Sequence, residues 1–218
     1  MSLLKAKNVR GLALNREVEM LDLVFDLHLP DAQENQEEGR ALEISSNVFY
    51  ELYLDIMTPE ISRIVGENIV PSYAFARRYY KDSYLSKHID RASCVYTITL
   101  TLNGSDDKPW PIWYEWNGIE YGLENKPGDA ALIRGCEVYH WRNKLESDYK
   151  TQLFLHFVPD KEEYKEYFFD GRDKLLFDQK HISFQNVAPS KKRDFFYESS
   201  MEALKAISKR MLAKANVQ

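Results

Sequence analysis

The hydrophobic positions of this 218-residue chain change period once. Between residues 14 and 28, Val18, Leu21 and Phe25 share one helical face, with Leu14 a turn earlier. That spacing predicts an amphipathic helix packed on a larger core. The polar, acidic run 31–40 predicts an exposed loop. A second helix is expected over 46–57, with Val48, Leu52 and Ile56 as its stripe. Thr58-Pro59 then has the form of an N-cap followed by proline at the first helical position, opening a short helix that ends near Gly66.

From about residue 70 the period becomes two. Over 93–102, Cys94, Tyr96, Ile98, Leu100 and Leu102 form one face, and Ser93, Val95, Thr97, Thr99 and Thr101 the other. A strand with one apolar and one hydroxyl-rich face suits a barrel wall; β-propensity alone would also favour the threonines. Residues 103–107 (Asn-Gly-Ser-Asp-Asp) form a turn, and Trp110 to Trp116 a strand. Asn117-Gly118 predicts a hairpin returning through Ile119, Tyr121 and Leu123. Pro127-Gly128-Asp129 turns the chain into a strand at Ala130 to Ile133. The last strong strand is Lys150 to Val158, with Lys150, Gln152, Phe154 and His156 on one face and Thr151, Leu153, Leu155 and Phe157 on the other. Residues 160–197 are charged and aromatic, and either cover the barrel mouth or pack outside it. A terminal helix is expected over about 198–214, with Ala203, Ile207 and Met211 as its stripe. The organisation expected is one domain: 1–69 a helical support, 70–158 a barrel core, and 159–218 an extension ending in that helix.

Composition narrows the function classes. Hydrophobic residues make up 44% and aromatics 13%, enough for a full core. The formal net charge of −5 disfavours a nucleic-acid binder, which carries a basic face. Cys94 and Cys136 form no CxxC and lie in apolar strand-like runs, so buried thiols in a cytoplasmic protein are expected. No run approaches the ~18 apolar residues of a membrane span, and Arg10, Asn15, Arg16, Glu17 and Glu19 interrupt any signal-peptide core. Neither membrane association nor a signal peptide is therefore expected.

The candidate chemistry begins at His88-Ile89-Asp90. On an extended segment, residues two apart point the same way, so one imidazole and one carboxylate can take adjacent positions on a metal. A lone His-x-Asp is a common chance match. What gives this one meaning is His140, behind the Pro-Gly-Asp turn and an apolar run, and Lys150 ten residues further on, at the start of another strand. Two histidines and one carboxylate make the facial triad of non-haem Fe(II), which leaves open positions for other ligands. His156 is a rival ligand if Lys150 points inward, though a hydrogen-bonded wall residue fits it better. His28 and His181 have no ligand-like neighbours. Trp113 and Trp116 could stack on a substrate, but core or cross-strand packing is the commoner use of such residues.

On these residues the chain resembles the Fe(II)- and 2-oxoglutarate-dependent dioxygenases, in particular their prolyl-hydroxylase-like branch. That family's pattern of His-x-Asp, a distal His and a Lys or Arg about ten residues later is carried here by His88, Asp90, His140 and Lys150. Its tyrosine nine or ten residues before the first histidine is matched by Tyr79, with Tyr80 as rival. The Pro127-to-Ala130 turn is typical of the strand leading to the distal histidine. The resemblance covers about residues 70–158.

It implies a mainly β fold with flanking helices, a double-stranded β-helix (the jelly-roll or cupin-like barrel). It also implies Fe(II) on His88, Asp90 and His140, 2-oxoglutarate as co-substrate, ascorbate as a possible reductant, and Thr97 and Thr101 facing the metal side. The activity implied is oxidative decarboxylation of 2-oxoglutarate coupled to hydroxylation of a peptidyl proline or a small molecule. The distal carboxylate of 2-oxoglutarate needs a buried cation. Lys150 is the candidate, helped by a hydroxyl from Tyr79 or Thr101, and Arg142 is the alternative; a period-two strand sends Arg142 toward the metal face, where substrate or the C1-carboxylate would also be in reach. Both histidines must be neutral to bind metal, so affinity should fall at low pH. Two other readings stay open: a metal-binding cupin enzyme without 2-oxoglutarate, and a non-catalytic jelly-roll binding protein. The oligomeric state is not legible.

Overall fold

Alternation of threonine and leucine along strand β6 (Tyr96–Gly104) sets the two layers of the molecule. Tyr96, Ile98, Leu100 and Leu102 point to one side into the main apolar cluster, while Thr97, Thr99 and Thr101 line the interior on the other. The computed structural model describes residues 5–176 and 189–215.

Two antiparallel sheets face each other. The larger has β1 (Ala6–Val9), β2 (Gln33–Asn35), β3 (Ala41–Ser45), β4 (Ile69–Tyr80), β6, β9 (Ala130–Ile133) and β11 (Tyr149–Pro159), in the order β1-β9-β6-β11-β4-β3-β2. The smaller has β5 (Leu85–His88), β7 (Ile112–Trp116), β8 (Ile119–Leu123) and β10 (His140–Arg142), in the order β5-β10-β7-β8. Apart from the β7–β8 hairpin, the chain from β4 to β11 passes from one sheet to the other at each step. This winding is the double-stranded β-helix expected from the sequence.

Helices α1 (Asn15–Leu27) and α2 (Val48–Val65) cover the outer face of the larger sheet. Leu21, Val24 and Phe25 of α1 and Tyr53, Leu54 and Ile61 of α2 are completely buried. They pack against Leu153, Leu155 and Phe157 of β11, each large apolar side chain contributing about 1.5–3 kcal/mol. The β7–β8 hairpin turns at Asn117 and Gly118, both at positive φ (52° and 73°), the geometry that favours this dipeptide.

Several expectations change. Residues 31–40 are not wholly loop: β2 pairs with β3, and β3 lies against β4 with Glu43 opposite Arg77. The N-terminal segment thus supplies three strands as well as helices. The break at Thr58-Pro59 is absent, and α2 runs through Pro59. Met57 and Ile61 are buried on either side of it, and their burial offsets the ~3 kcal/mol that an interior proline costs. Asn47, not Thr58, caps the helix, accepting from the Phe49 amide at 2.9 Å. Leu14 and Val48 stand at helix starts and are exposed. Trp110 precedes β7 and is fixed by its indole, which donates to the Asn143 carbonyl at 2.8 Å. Helix α3 (Pro189–Ala215) starts earlier than expected, and its buried stripe is Phe196, Ser200 and Leu204. Ala203 is exposed and Ile207 half-buried; the side chain of Met211 lies outside the described residues, as do His181, Phe177 and Phe184.

Candidate metal centre

His88 ends β5 and His140 opens β10, and the two are direct partners across the ladder. Paired residues share a face, so both imidazoles enter the barrel, with ring centroids 4.3 Å apart. Asp90 follows just beyond β5, where its amide donates to the Gly135 carbonyl at 2.9 Å. Its Oδ1 lies 3.3 Å from His88 Nε2 and 3.5 Å from His140 Nε2. One donor atom from each residue falls within 4.8 Å of the others.

The remaining ring nitrogens are already assigned. His88 Nδ1 lies 2.7 Å from the Ser86 carbonyl and His140 Nδ1 3.1 Å from that of Val138. A carbonyl only accepts, so each Nδ1 carries a proton; Nε2 then either donates a proton to Asp90 or, in the neutral ring, offers its lone pair to a metal. Burial pushes the Asp90 carboxyl up, but hydrogen bonds from His140 and His88 outweigh it and hold the group well below the usual carboxylate range. His88 is raised chiefly by its hydrogen bond to Asp90. This donor set, two fixed imidazoles and one anionic oxygen, fits a divalent transition metal.

Asp90 Oδ2 has another partner: the Thr97 hydroxyl donates to it at 2.6 Å. Thr97 Oγ1 lies 3.2 Å from His156 Nδ1. The His156 ring is stacked on Tyr73 (4.4 Å) and Phe75 (5.7 Å), and burial pushes its pKa down to about 4. His156 is therefore a neutral wall residue outside the cluster of three.

Two strand positions past His140, Arg142 also points inward and is 2% exposed. Its guanidinium donates to the Trp110 carbonyl, to Thr99 Oγ1 (3.1 Å) and to Gln152 Oε1 (3.4 Å), and lies over the Trp110 ring. Its Nε is buried with no hydrogen-bond partner among the described residues. Among the described residues no carboxylate faces it, and burial pushes it down to about 10. Lys150 differs. It too is buried, but its ammonium donates to the Asp106 carbonyl and lies 3.0 Å from Asp106 Oδ1.

Tyr79 faces inward at 2% exposure, edge-on to Trp110, with its hydroxyl 3.4 Å from an Arg77 nitrogen. Tyr80 turns to the other side, beneath Arg40. Thr101 and Thr99 both donate to Gln152 Oε1, at 3.2 and 3.3 Å. Gln152 is thus the shared acceptor beside Arg142. Its inward face was legible from the β11 alternation, but nothing in the sequence marked it, Thr99 or Trp110 as neighbours of Arg142. A cavity of about 340 Å³ opens beyond Gln152 and Thr101, lined also by Lys150, Trp110, Asn103 and Asn125.

Trp113 pairs with Trp141, next to the His140–Tyr114 pair, and so faces away from the metal cluster. Trp116 is 38% exposed under Lys5. On the metal-facing side the stacked pair is Tyr114 and Tyr121, 5.1 Å apart. The short helical segment Glu162–Gly171 leans on the site through Asp170, 2.9 Å from Arg91, which lies over the Tyr73 ring. His28 bonds the Val24 carbonyl at the end of α1 and is structural. Both cysteines are free, Cys94 buried and Cys136 half-buried. No helix among the described residues is long and apolar enough to cross a membrane.

No protein-family profile matches the chain, and no curated protein matches it in sequence. Solved structures do match in fold. An oxidoreductase of the 2OG-Fe(II) oxygenase family from Burkholderia pseudomallei superposes with a TM-score of 0.56 at 13% identity, over 70% of this chain and 84% of that one. A prolyl-4-hydroxylase from Pseudomonas putida gives 0.55 at 15% identity, over 72% and 93%. HygX from Streptomyces hygroscopicus, with nickel and 2-oxoglutarate bound, gives 0.56 at 13% identity, over 72% and 84%. At such identities the likeness is one of fold, the double-stranded β-helix of 2OG-Fe(II) oxygenases.

Proposed function

We propose that this chain is an Fe(II)- and 2-oxoglutarate-dependent dioxygenase. The net reaction is 2-oxoglutarate + O2 + R–H giving succinate + CO2 + R–OH. One observation carries the reading: a cluster of two tautomer-fixed imidazoles and a carboxylate stands beside a buried arginine that no carboxylate among the described residues faces. A buried unpaired charge costs several kcal/mol. An anionic co-substrate held between metal and guanidinium removes that cost.

In this reading His88, Asp90 and His140 hold the metal. Iron bound there supplies the activation of dioxygen, at the expense of 2-oxoglutarate, that oxidises a C–H bond. Arg142 takes the distal carboxylate. Two strand residues, about 6.6 Å, separate it from His140, a span suited to a five-carbon dicarboxylate whose other end chelates the metal. Thr99 and Gln152 orient the guanidinium. Tyr79, Trp110, Leu145 and Phe154 form an apolar cluster around it and exclude water. Lys150, already paired with Asp106, supports the floor of the pocket. Ascorbate serves only to keep iron reduced.

The hydroxylated substrate is a peptidyl proline or a small molecule; a prolyl-4-hydroxylase and an enzyme crystallised with hygromycin B share the fold. Two free thiols and an acidic net charge support a cytoplasmic enzyme that acts on neither nucleic acid nor membrane. The direct test is binding. With Mn(II) present, 2-oxoglutarate should raise the melting temperature, and His140→Ala should abolish the shift. A metal-independent response, or none, would favour a cupin without 2-oxoglutarate or a binding protein.

A further inference from the structure

Asp90 is held by more than its place in the chain. Its Oδ1 faces the two imidazoles. Its Oδ2 is engaged on the opposite side by the Thr97 hydroxyl at 2.6 Å. That hydroxyl has one proton and two acceptors in reach, and the other, the Cys94 carbonyl, is at 3.5 Å. The shorter, charge-assisted contact takes the proton. Thr97 Oγ1 is then free to accept, and His156 Nδ1 at 3.2 Å is its donor. The ring making that bond is clamped by Tyr73 on β4 and is 4% exposed, so it cannot turn away.

The backbone closes the remaining side. A Cβ added at Gly135 would collide with Asp90 Oδ2, with its carboxyl carbon and with the Cys94 carbonyl. Gly135 is not at a positive φ that would itself demand glycine. The glycine there makes room for a carboxylate oxygen. Oδ2 is thus packed against a main-chain wall and turned from the cluster.

We infer that Thr97, His156 and Gly135 lock the second oxygen of Asp90, so that this residue offers a metal one donor atom and never two. The inference rests on the metal-centre reading above and adds positioning residues to it. A carboxylate free to swing can chelate through both oxygens and fill a position that a bidentate co-substrate needs. The lock keeps that position available. Second-sphere partners of metal ligands commonly alter affinity or activity 10- to 100-fold.

Co(II) is the probe, since its visible spectrum reports coordination number and can be read without turnover. In Thr97→Val the released carboxylate should chelate. The Co(II) spectrum should change, Co(II) affinity should hold or rise, and 2-oxoglutarate affinity of the Co(II) form should fall roughly tenfold or more. Thr97→Ser should restore both readouts. His156→Phe keeps the ring stack, removes the donor to Thr97, and should give a smaller change of the same kind. A Thr97→Val protein with the parent spectrum and parent 2-oxoglutarate affinity would overturn the inference. So would a variant that loses Co(II) with no change in the spectrum of what remains bound. If Thr97→Val does not fold, unaltered spectra and affinities in His156→Phe would be equally decisive against it. Failure of the parent protein to bind Co(II) through His140 would instead sink the metal-centre reading itself.

Discussion

The Lys150 ammonium lies 3.0 Å from Oδ1 of Asp106 and is neutralised before any co-substrate arrives. Asp106 is held in turn by the Ser147 hydroxyl at 2.7 Å and the Lys108 amide at 3.1 Å. Arg142, on β10 of the opposite sheet, reaches the same interior through Gln152, and among the described residues no carboxylate faces it. The two cations predict different phenotypes. Arg142→Leu should cost 2-oxoglutarate binding about 2–4 kcal/mol, on the order of 30- to 1,000-fold in apparent affinity. Lys150→Ala should cost less than tenfold. Isothermal titration of the Mn(II)-loaded proteins distinguishes them, and the reverse order would return the role to Lys150.

His156 gives a pH signature. Burial pushes its folded pKa down to about 4, whereas the unfolded imidazole titrates near 6.5. Between those values the unfolded chain binds the extra proton, so this group's stability contribution is full above pH ~6.5 and is lost as pH falls toward 4. From pH 7 to pH 5 the loss amounts to about 2 kcal/mol. His88 is raised by its hydrogen bond to Asp90 and acts in the opposite direction, so the useful quantity is the difference between parent and His156→Phe. In urea unfolding of the metal-free proteins, that difference should shrink by about 2 kcal/mol over this range. A difference independent of pH would mean that His156 is not buried neutral.

The C-terminal helix is tied down electrostatically. Glu17 of α1 is completely buried and accepts from Nε and Nη2 of Arg193 of α3, as well as from the Leu14 amide at 2.9 Å. Removing the cation alone leaves an uncompensated buried carboxylate, which typically costs about 3–5 kcal/mol. Arg193→Met should therefore lower stability by about 3 kcal/mol while leaving Co(II) affinity unchanged. A loss below about 1 kcal/mol, the scale of a surface pair, would show that the helix is held by Phe196 and Leu204 alone.

Much of the barrel was legible because its signals are local. The Thr/Leu alternation of β6, the Asn117-Gly118 turn and the His88-x-Asp90 spacing each depend on residues close in sequence. What escaped depends on partners far away. Strand β3 is five residues long with Glu43 at its centre, and it reads as a strand only once Arg77 is opposite. Helix α2 runs through Pro59 because buried residues flank it on both sides. The stripe of α3 lies one residue from the expected one, since the helix starts at Pro189 and packs on α1 and α2 through Phe196, ahead of the expected start at 198. The family resemblance pointed to Lys150 as the anion partner. It carried no sign that Asp106, on the loop after β6, takes up the ammonium.

The central claim is that this site consumes 2-oxoglutarate. The most direct measurement is succinate released when the purified protein is incubated with Fe(II), ascorbate, oxygen and 2-oxoglutarate, without added substrate. Slow uncoupled release is expected from the parent, with none from His140→Ala or Arg142→Leu. Parent and His140→Ala proteins yielding the same succinate, or neither yielding any while the parent binds Fe(II) tightly, would contradict it.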